Sequence, residues 1–207
     1  MSDDLLRRWR ALAGGQQDAL GAALIGAWSE PQRRYHDQSH LLWLLEEADR
    51  RAAMIREPAF VGYAIWFHDA VYQPGRTDNE TLSAEWARTA LAARPELAAR
   101  VAHVVDMTKN HAAGEAEGDA ALFLDMDIAI LGAPHEVYRD YAAAIRAEYP
   151  HVTDAAFVAG RGAFLEAQLK TTRLFRTDLY ESEIGARARA NMRWEAQEMR
   201  NGRMVTG

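Results

Sequence analysis

Residues 58–74 read PAFVGYAIWFHDAVYQP, and this stretch decides the fold that the sequence predicts. Its first part is almost wholly apolar and shows no strand-like alternation, which predicts a buried helix. His68 and Asp69 end the apolar run just before the turn at Pro74-Gly75. Adjacent residues of a helix point about 100° apart. These two side chains can therefore reach one point only beyond the end or at the edge of the helix.

The helical pattern continues on both sides of this stretch. Ala and Leu are abundant, β-branched residues are sparse, and apolar positions recur every three or four residues. No repeat, low-complexity segment or linker marks a domain boundary. The sequence therefore predicts one all-α domain over residues 1–207, a bundle of about eight to ten helices. The predicted helices lie near residues 3–13, 16–28, 38–56, 58–70, 78–92, 95–109, 119–132, 134–148, 154–172 and 179–200.

Capping residues support several of these helix starts. Asp37 precedes the apolar run of the predicted helix 38–56. Thr153 or Asp154 opens the long predicted helix 154–172. Thr77 lies three residues before Glu80, the spacing of a capping box. Each of these helices therefore has a predicted partner for its first backbone N–H groups.

Composition limits the classes of function. The 207 residues include no cysteine, so any metal must be held by His, Asp, Glu, backbone or water. The net charge of −6 argues against a nucleic-acid polymer as partner. The N-terminal MSDDLLRRWRALAGG does not resemble a signal peptide, and no apolar run is long enough to span a bilayer. We therefore expect a cytoplasmic protein with no membrane partner.

Two carboxylates interrupt an apolar helix at residues 119–131, DAALFLDMDIAIL. On a helix, Asp127 would have Phe123 and Leu131 one turn away on either side. An ionised carboxylate on such a face needs a cation, several hydrogen bonds or a proton. Asp125 has similar neighbours, so this pattern does not choose between them. The pattern is compatible with either role for these two carboxylates, metal ligand or structural hydrogen-bond acceptor.

A third polar signal lies at residues 33–47, RRYHDQSHLLWLLEE. His40 falls in the first turn of the predicted helix, and His36 falls just before it. An ordinary histidine at a helix start, preceded by solvated arginines, is the alternative interpretation. Combined with the two earlier segments, the chain offers imidazole and carboxylate ligands, which suit Mn, Mg, Fe, Co, Ni or Zn.

The order His40, His68-Asp69, Asp127 resembles the H…HD…D pattern of the HD-domain superfamily of metal-dependent phosphohydrolases. The resemblance covers nearly the whole chain and is closest to a bacterial branch of predicted HD phosphohydrolases. It implies an all-α HD fold that binds a divalent metal through these four residues. Asp127 is assigned because Met126–Ala129 aligns with the family's last Asp motif, although the usual Arg-Leu after that Asp is Ile-Ala here. The segments that carry the resemblance are RRYHDQSH, AIWFHDAVYQPGRTDNETLSAEWA, TKNH, FLDMDIAILG and RLFRTDLYESEIGARARANMRWE.

The resemblance also implies a reaction, the hydrolysis of a small phosphomonoester or nucleotide by a metal-activated water. Asp69 would bind the metal and orient the water, while Glu80 and His111 are candidates for proton transfer. His36 remains the alternative to His40 as ligand and is otherwise placed near the substrate. Because they lie close to the proposed ligands in sequence, Arg33, Arg34 and Lys109 are the candidates for phosphate contacts.

Two other functions remain open. An HD domain can bind or sense a nucleotide without turning it over, because a fold does not fix a function. A two-iron oxygenase on the same fold would need further ligands, which only His111, His103 or Asp125 could provide. The sequence allows self-association as a homo-oligomer but identifies no interface.

Overall fold

The computed structural model describes residues 1–15, 17–111 and 115–205, and over these ranges it is helical with no strand. The last two α-helices, α10 and α11, are joined without a break from Asp178 to Arg200. Counted as one helix, they bring the number of helices among the described residues to ten. The predicted all-α fold is confirmed. The α-helices are α1 (Ser2–Ala13), α2 (Asp18–Ala27), α3 (Gln38–Arg50), α4 (Pro58–Phe67), α5 (Asn79–Ala90), α6 (Pro95–Met107), α7 (Gly118–Asp127), α8 (His135–Glu148), α9 (Asp154–Lys170), α10 (Asp178–Tyr180) and α11 (Ala186–Arg200).

Short tight turns extend several of these helices. Turns of 3₁₀ helix lie at Ala52–Met54, Thr108–Asn110 and Ala129–Gly132, and a π-helical turn at Glu181–Gly185 joins α10 to α11. Over three or four residues, the spacing of apolar side chains does not distinguish a 3₁₀ turn from an α-helix. The predicted helix 119–132 therefore runs five residues past the observed end of α7, through such a turn.

Two other helices end at least three residues earlier than predicted. α3 ends at Arg50, and the chain then passes through the 3₁₀ turn Ala52–Met54 to an extended Ile55. Pro58 begins α4, and the residue before a proline avoids the helical region. Glu57 accordingly has φ −125° and ψ 78°. α4 ends at Phe67, three residues before its predicted end, so the His-Asp pair lies just past the last helical residue.

The predicted caps have mixed outcomes. Asp37 caps α3 by accepting a hydrogen bond from the Ser39 N–H, and Thr153 caps α9. The capping box at Thr77 is wrong, because α5 begins one residue later and its cap position, Asp78, makes no side-chain capping bond. The predicted start of the second helix at Gln16 lies outside the described residues.

The chain divides into two compact units, Met1–Leu124 and Asp125 onward. The division falls inside α7, where no linker composition marks it. The first unit holds α1 to α6 and most of α7, and the second holds the end of α7 and the helices that follow. The expectation of one domain stays a prediction.

α4 is the central helix of the first unit. It packs against α1, α3, α5 and α6, and most of its side chains are buried. Near its C-terminus, the Trp66 ring meets the Trp9 ring edge-on, with centroids 5.2 Å apart. At its N-terminus, the Asp119 carboxylate accepts hydrogen bonds from the N–H groups of Arg56 and Glu57. The helix that precedes the His-Asp pair is therefore held at both of its ends.

The second unit is built around α8, α9 and α11. Arg161 on α9 donates to Glu195 on α11, whose carboxylate also accepts from the Tyr138 hydroxyl on α8. Asn191 donates to the carbonyls of Leu131 and Ala133. Buried polar contacts thus connect all three helices of this unit.

Among the helices of the described ranges, none combines the length and the apolar character that crossing a bilayer requires.

Candidate metal centre

His40 reaches the candidate site from the first turn of α3. Asp37 fixes the start of this helix, with 2.7 Å between its Oδ1 and the Ser39 nitrogen. His40 is 5% exposed, and its ring lies 4.8 Å from the Tyr35 ring. The helix start therefore delivers a buried imidazole whose position is set by local capping.

His68 is the best-defined residue of the site. It caps the C-terminus of α4, is 1% exposed, and places Nδ1 2.8 Å from the Ile65 carbonyl oxygen. A carbonyl can only accept, so this hydrogen bond places a proton on Nδ1, and in the neutral imidazole the lone pair is then on Nε2. Metal-binding histidines commonly have their second nitrogen held in this way.

Asp69 brings a carboxylate to the same point. Its Oδ2 lies 3.4 Å from His68 Nε2. One ligand atom from each of His40, His68 and Asp69 lies within 4.8 Å of the other two. Ligand atoms about 2.1 Å from an octahedral ion are about 3 Å apart in neighbouring positions. The three residues are therefore close enough to share a divalent ion once their ligand atoms move toward one another.

Aromatic rings surround the two histidines. The His68 ring centroid lies 5.3 Å from that of Trp28 and 5.7 Å from that of Phe123. Trp28 in turn donates from Nε1 to the carbonyl of Trp66 on α4. Sequence analysis missed Trp28 and Phe123 because aromatic residues in an apolar helix are ordinarily core.

Asp125 and Asp127 differ in their surroundings. Asp125 is 1% exposed and accepts 2.7 Å hydrogen bonds from the N–H groups of Arg176 and Thr177 and from the Thr177 hydroxyl. Burial raises the pKa of the Asp125 carboxyl, and these hydrogen bonds oppose the rise. Asp125 is therefore a structural acceptor, and the choice of Asp127 over Asp125 as metal ligand stays a prediction.

Asp127 is the last residue of α7 and is half-buried. It belongs to the second compact unit, whereas His40, His68 and Asp69 belong to the first. Its role as fourth ligand stays a prediction.

The predicted catalytic residues Glu80 and His111 are not members of the three-residue group. Glu80 lies in the first turn of α5, half-buried, and His111 follows the turn at Thr108–Asn110. Lys109, a predicted phosphate contact, donates from Nζ to the Thr77 carbonyl at 2.6 Å. The catalytic and substrate roles of these residues stay predictions.

The structure brings His36 beside the site. Its Nε2 lies 4.0 Å from Asp69 Oδ2, and its ring stacks on Tyr72 with centroids 4.3 Å apart. His40 and not His36 is the member of the three-residue group. The predicted place of His36 near the substrate stays a prediction.

Two buried polar residues of α5 hold the segment that follows Asp69. The Ser83 hydroxyl accepts from the Val71 N–H and donates to the Val71 carbonyl. The Asn79 amide pairs with both the N–H and the carbonyl of Gln73. Asn79 and Ser83 are one helical turn apart, and this polar pair beside an apolar face was the signal that sequence analysis could have used.

One pocket among the described residues of the first unit does not coincide with this site. A groove of about 320 Å³ lies between α1, α3 and α4. Leu12, Leu45 and Trp66 are among the side chains that line this groove. His40, His68 and Asp69 do not line it. The pocket therefore gives no information about substrate binding.

Comparison of the chain with protein-family models, with curated proteins and with solved structures gave no match. The resemblance to the HD superfamily therefore stays a prediction from the motifs.

Proposed function

We propose that the chain is a metal-dependent phosphohydrolase that acts on a small phosphomonoester or nucleotide. The observation that carries the proposal is the convergence of His40, His68 and Asp69, with the Nε2 lone pair of His68 directed by the hydrogen bond at Nδ1. The order of these residues in the sequence supports the reaction class.

The donor set fits a divalent ion of intermediate softness. Two imidazoles and one carboxylate suit Mn, Fe, Co, Ni or Zn, and Mg is the hardest ion that the set would accept. These three protein ligands would leave an octahedral ion three positions for water, substrate or a further ligand. A divalent ion supplies a Lewis acid that polarises a phosphoryl oxygen and lowers the pKa of water.

The chain's own residues would orient the reactants. Hydrolysis forms a P–O bond from water and breaks the P–O bond to the ester oxygen, while a proton passes from the water to the leaving alcohol. Asp69 would accept a hydrogen bond from the attacking water. His36 would contact the substrate, since its ring lies beside the Asp69 carboxylate.

A second function is favoured by one specific observation. Two histidines and one carboxylate also form the ligand set of mononuclear Fe(II) oxygenases. The two-iron version is disfavoured, because Asp125 is engaged by backbone N–H groups and His103 is exposed on α6. Oxygen consumption by the Fe(II)-loaded protein would distinguish oxygenase from hydrolase.

The test is phosphate release by the metal-depleted protein after addition of each candidate ion, with a panel of phosphomonoesters and nucleotides. The critical variant is His68→Asn, because Asn can keep the hydrogen bond to Ile65 while removing Nε2. His103→Ala is the matched control, since His103 is exposed on α6 and outside the three-residue group.

We expect metal-dependent phosphate release by the wild type and the control, and none by His68→Asn. Metal binding and nucleotide-dependent stabilisation without phosphate release would favour the sensor. A folded wild type that binds none of these ions would contradict both the hydrolase and the metal-binding sensor.

A further inference from the structure

Arg33 is a buried cation next to the candidate metal centre. Its side chain has 0% exposure. The guanidinium carbon lies 5.3 Å from the ring centroid of Trp28 and 5.3 Å from that of Tyr72. Its ion-pair partner is Glu30, at 3.2 Å from Nε. A charge buried this deeply needs several partners.

The remaining donors of Arg33 go to backbone carbonyls. One nitrogen donates to the His36 carbonyl at 2.8 Å and to the Asp69 carbonyl at 2.9 Å, and the second donates to Ala70 at 3.4 Å. The His36 carbonyl belongs to the segment that leads into α3 and His40. One guanidinium nitrogen therefore bridges the two segments that carry the clustered ligands.

The chemistry of this bridge requires arginine. The carbonyls after α4 lie at a helix C-terminus, where acceptors have no partner within the helix and a positive charge is favourable. A guanidinium presents donors in a rigid, planar fork, whereas a lysine ammonium is a point charge on a flexible stem. Lysine at this position could keep the charge but could not reproduce the whole set of contacts.

We infer that Arg33 is a positioning residue of the metal centre, which holds the His40 segment and Asp69 at the spacing at which their ligand atoms converge. The inference rests on the proposed metal site. This role differs from the phosphate contact that the sequence predicts for Arg33, which would need the guanidinium to face the substrate.

The second unit provides a matched control. Arg146 also donates to backbone carbonyls after a helix, those of Tyr149 and Val152, and also stacks on an aromatic ring, that of Phe157 at 5.0 Å. It also pairs with Asp154. Arg146→Lys therefore removes a similar set of contacts at a helix end that carries none of the three clustered ligands.

The experiment measures Mn²⁺ affinity by calorimetry on the metal-depleted full chain, together with the melting temperature without metal. The variants are Arg33→Lys, Arg33→Gln and Arg146→Lys. We expect both Arg33 variants to raise the dissociation constant for Mn²⁺ by about 10- to 100-fold, the range for partners that orient metal ligands. Arg146→Lys should lower the melting temperature and leave Mn²⁺ affinity unchanged.

The outcomes separate the inference from the function on which it rests. A folded Arg33→Lys with wild-type affinity would overturn the positioning role and leave the metal site standing. Failure of both Arg33 variants to fold, beside a folded Arg146→Lys, would also overturn it, because Arg33 would then be required for folding itself. A wild type that binds no Mn²⁺ would overturn the metal site and the inference together.

Discussion

The buried polar groups of the two units have different kinds of partner. In the second unit, the Glu195 carboxylate lies 2.8 Å from Arg161 and also accepts from the Tyr138 hydroxyl, so an acid meets a protein cation. In the first unit, His40, His68 and Asp69 bring ligand atoms together within 4.8 Å. The network of the second unit supplies its own positive charge, whereas the three residues of the first unit present lone pairs to a common point. This difference separates a structural network from a candidate metal site.

The protonation of the second network agrees with a structural role. Burial raises the pKa of the Tyr138 hydroxyl, and the nearby Glu195 carboxylate raises it further. The phenol therefore stays protonated at physiological pH and donates to Glu195. Nothing in this network requires an added ion.

The largest effect is expected for Asp69→Asn. This change keeps the shape of the side chain and removes the only carboxylate of the three-residue group. We expect Mn²⁺ affinity to fall by more than about 100-fold, beyond the range for residues that only orient ligands, and metal-dependent phosphate release to be lost with it. Asp106→Asn, on exposed Asp106 of α6, is the control and should bind as the wild type does. Equal affinities of the two variants would remove Asp69 from the site.

The next effect is on stability and should appear with Glu195→Gln. The Arg161 and Glu195 side chains are 8% and 4% exposed, so the change leaves a buried guanidinium without its carboxylate. Breaking such a pair costs about 3–5 kcal/mol. Urea unfolding should show the loss, while calorimetry should show unchanged Mn²⁺ affinity. Loss of metal binding in the folded variant would show that the network is not purely structural.

A smaller stability effect should distinguish Asp125 from Asp127. Asp125→Asn places an amide group among three hydrogen-bond donors, which should cost about 1–3 kcal/mol of stability while Mn²⁺ still binds. Asp127→Asn should weaken Mn²⁺ binding if Asp127 is the ligand that the motif order predicts. Unfolding curves and calorimetry on both variants check this. The reverse pattern would assign Asp125 as the ligand.

The smallest effect is expected for Glu57→Gln, the exposed counterpart of Glu195→Gln. Glu57 pairs with Arg100 through two short contacts, but both side chains are about half exposed. Hydrogen bonding to Arg100 lowers the pKa of Glu57, so its folded value lies below the unfolded one. The pair therefore stabilises the fold above the unfolded pKa, and this contribution is lost as pH falls through the folded pKa.

Urea midpoints measured at neutral and acidic pH test this last prediction. The difference between Glu57→Gln and wild type should be slight at neutral pH, shrink with added salt and vanish in acid. A loss as large as that of Glu195→Gln would show that burial does not account for the difference between the two ion pairs.

Much of the fold could be predicted from the sequence, because helical periodicity is a local signal. The spacing of apolar residues predicted α4, and the capping residue Asp37 predicted the start of α3. His40, His68 and Asp69 could be proposed together because each stands out as a polar residue beside an apolar run. Their convergence is consistent with the motif order.

The rest depends on contacts between residues that are distant in sequence. Arg33 binds a carbonyl 36 residues away, and Asp125 binds Thr177 52 residues away. No local pattern shows that an arginine in a basic cluster is buried or that a buried aspartate is held by a remote backbone. Sequence analysis therefore identified candidate ligands but not the residues that hold their segments in place.

The most direct test is a crystal structure of the wild type grown with Mn²⁺, with anomalous data collected at a wavelength where manganese scatters. We expect a peak about 2.0–2.3 Å from His68 Nε2, an Asp69 carboxylate oxygen and an imidazole nitrogen of His40. Density at this peak from Asp127 would complete the predicted ligand set. A fully folded protein with no peak among these three residues, or with manganese bound elsewhere, would contradict the proposed metal centre.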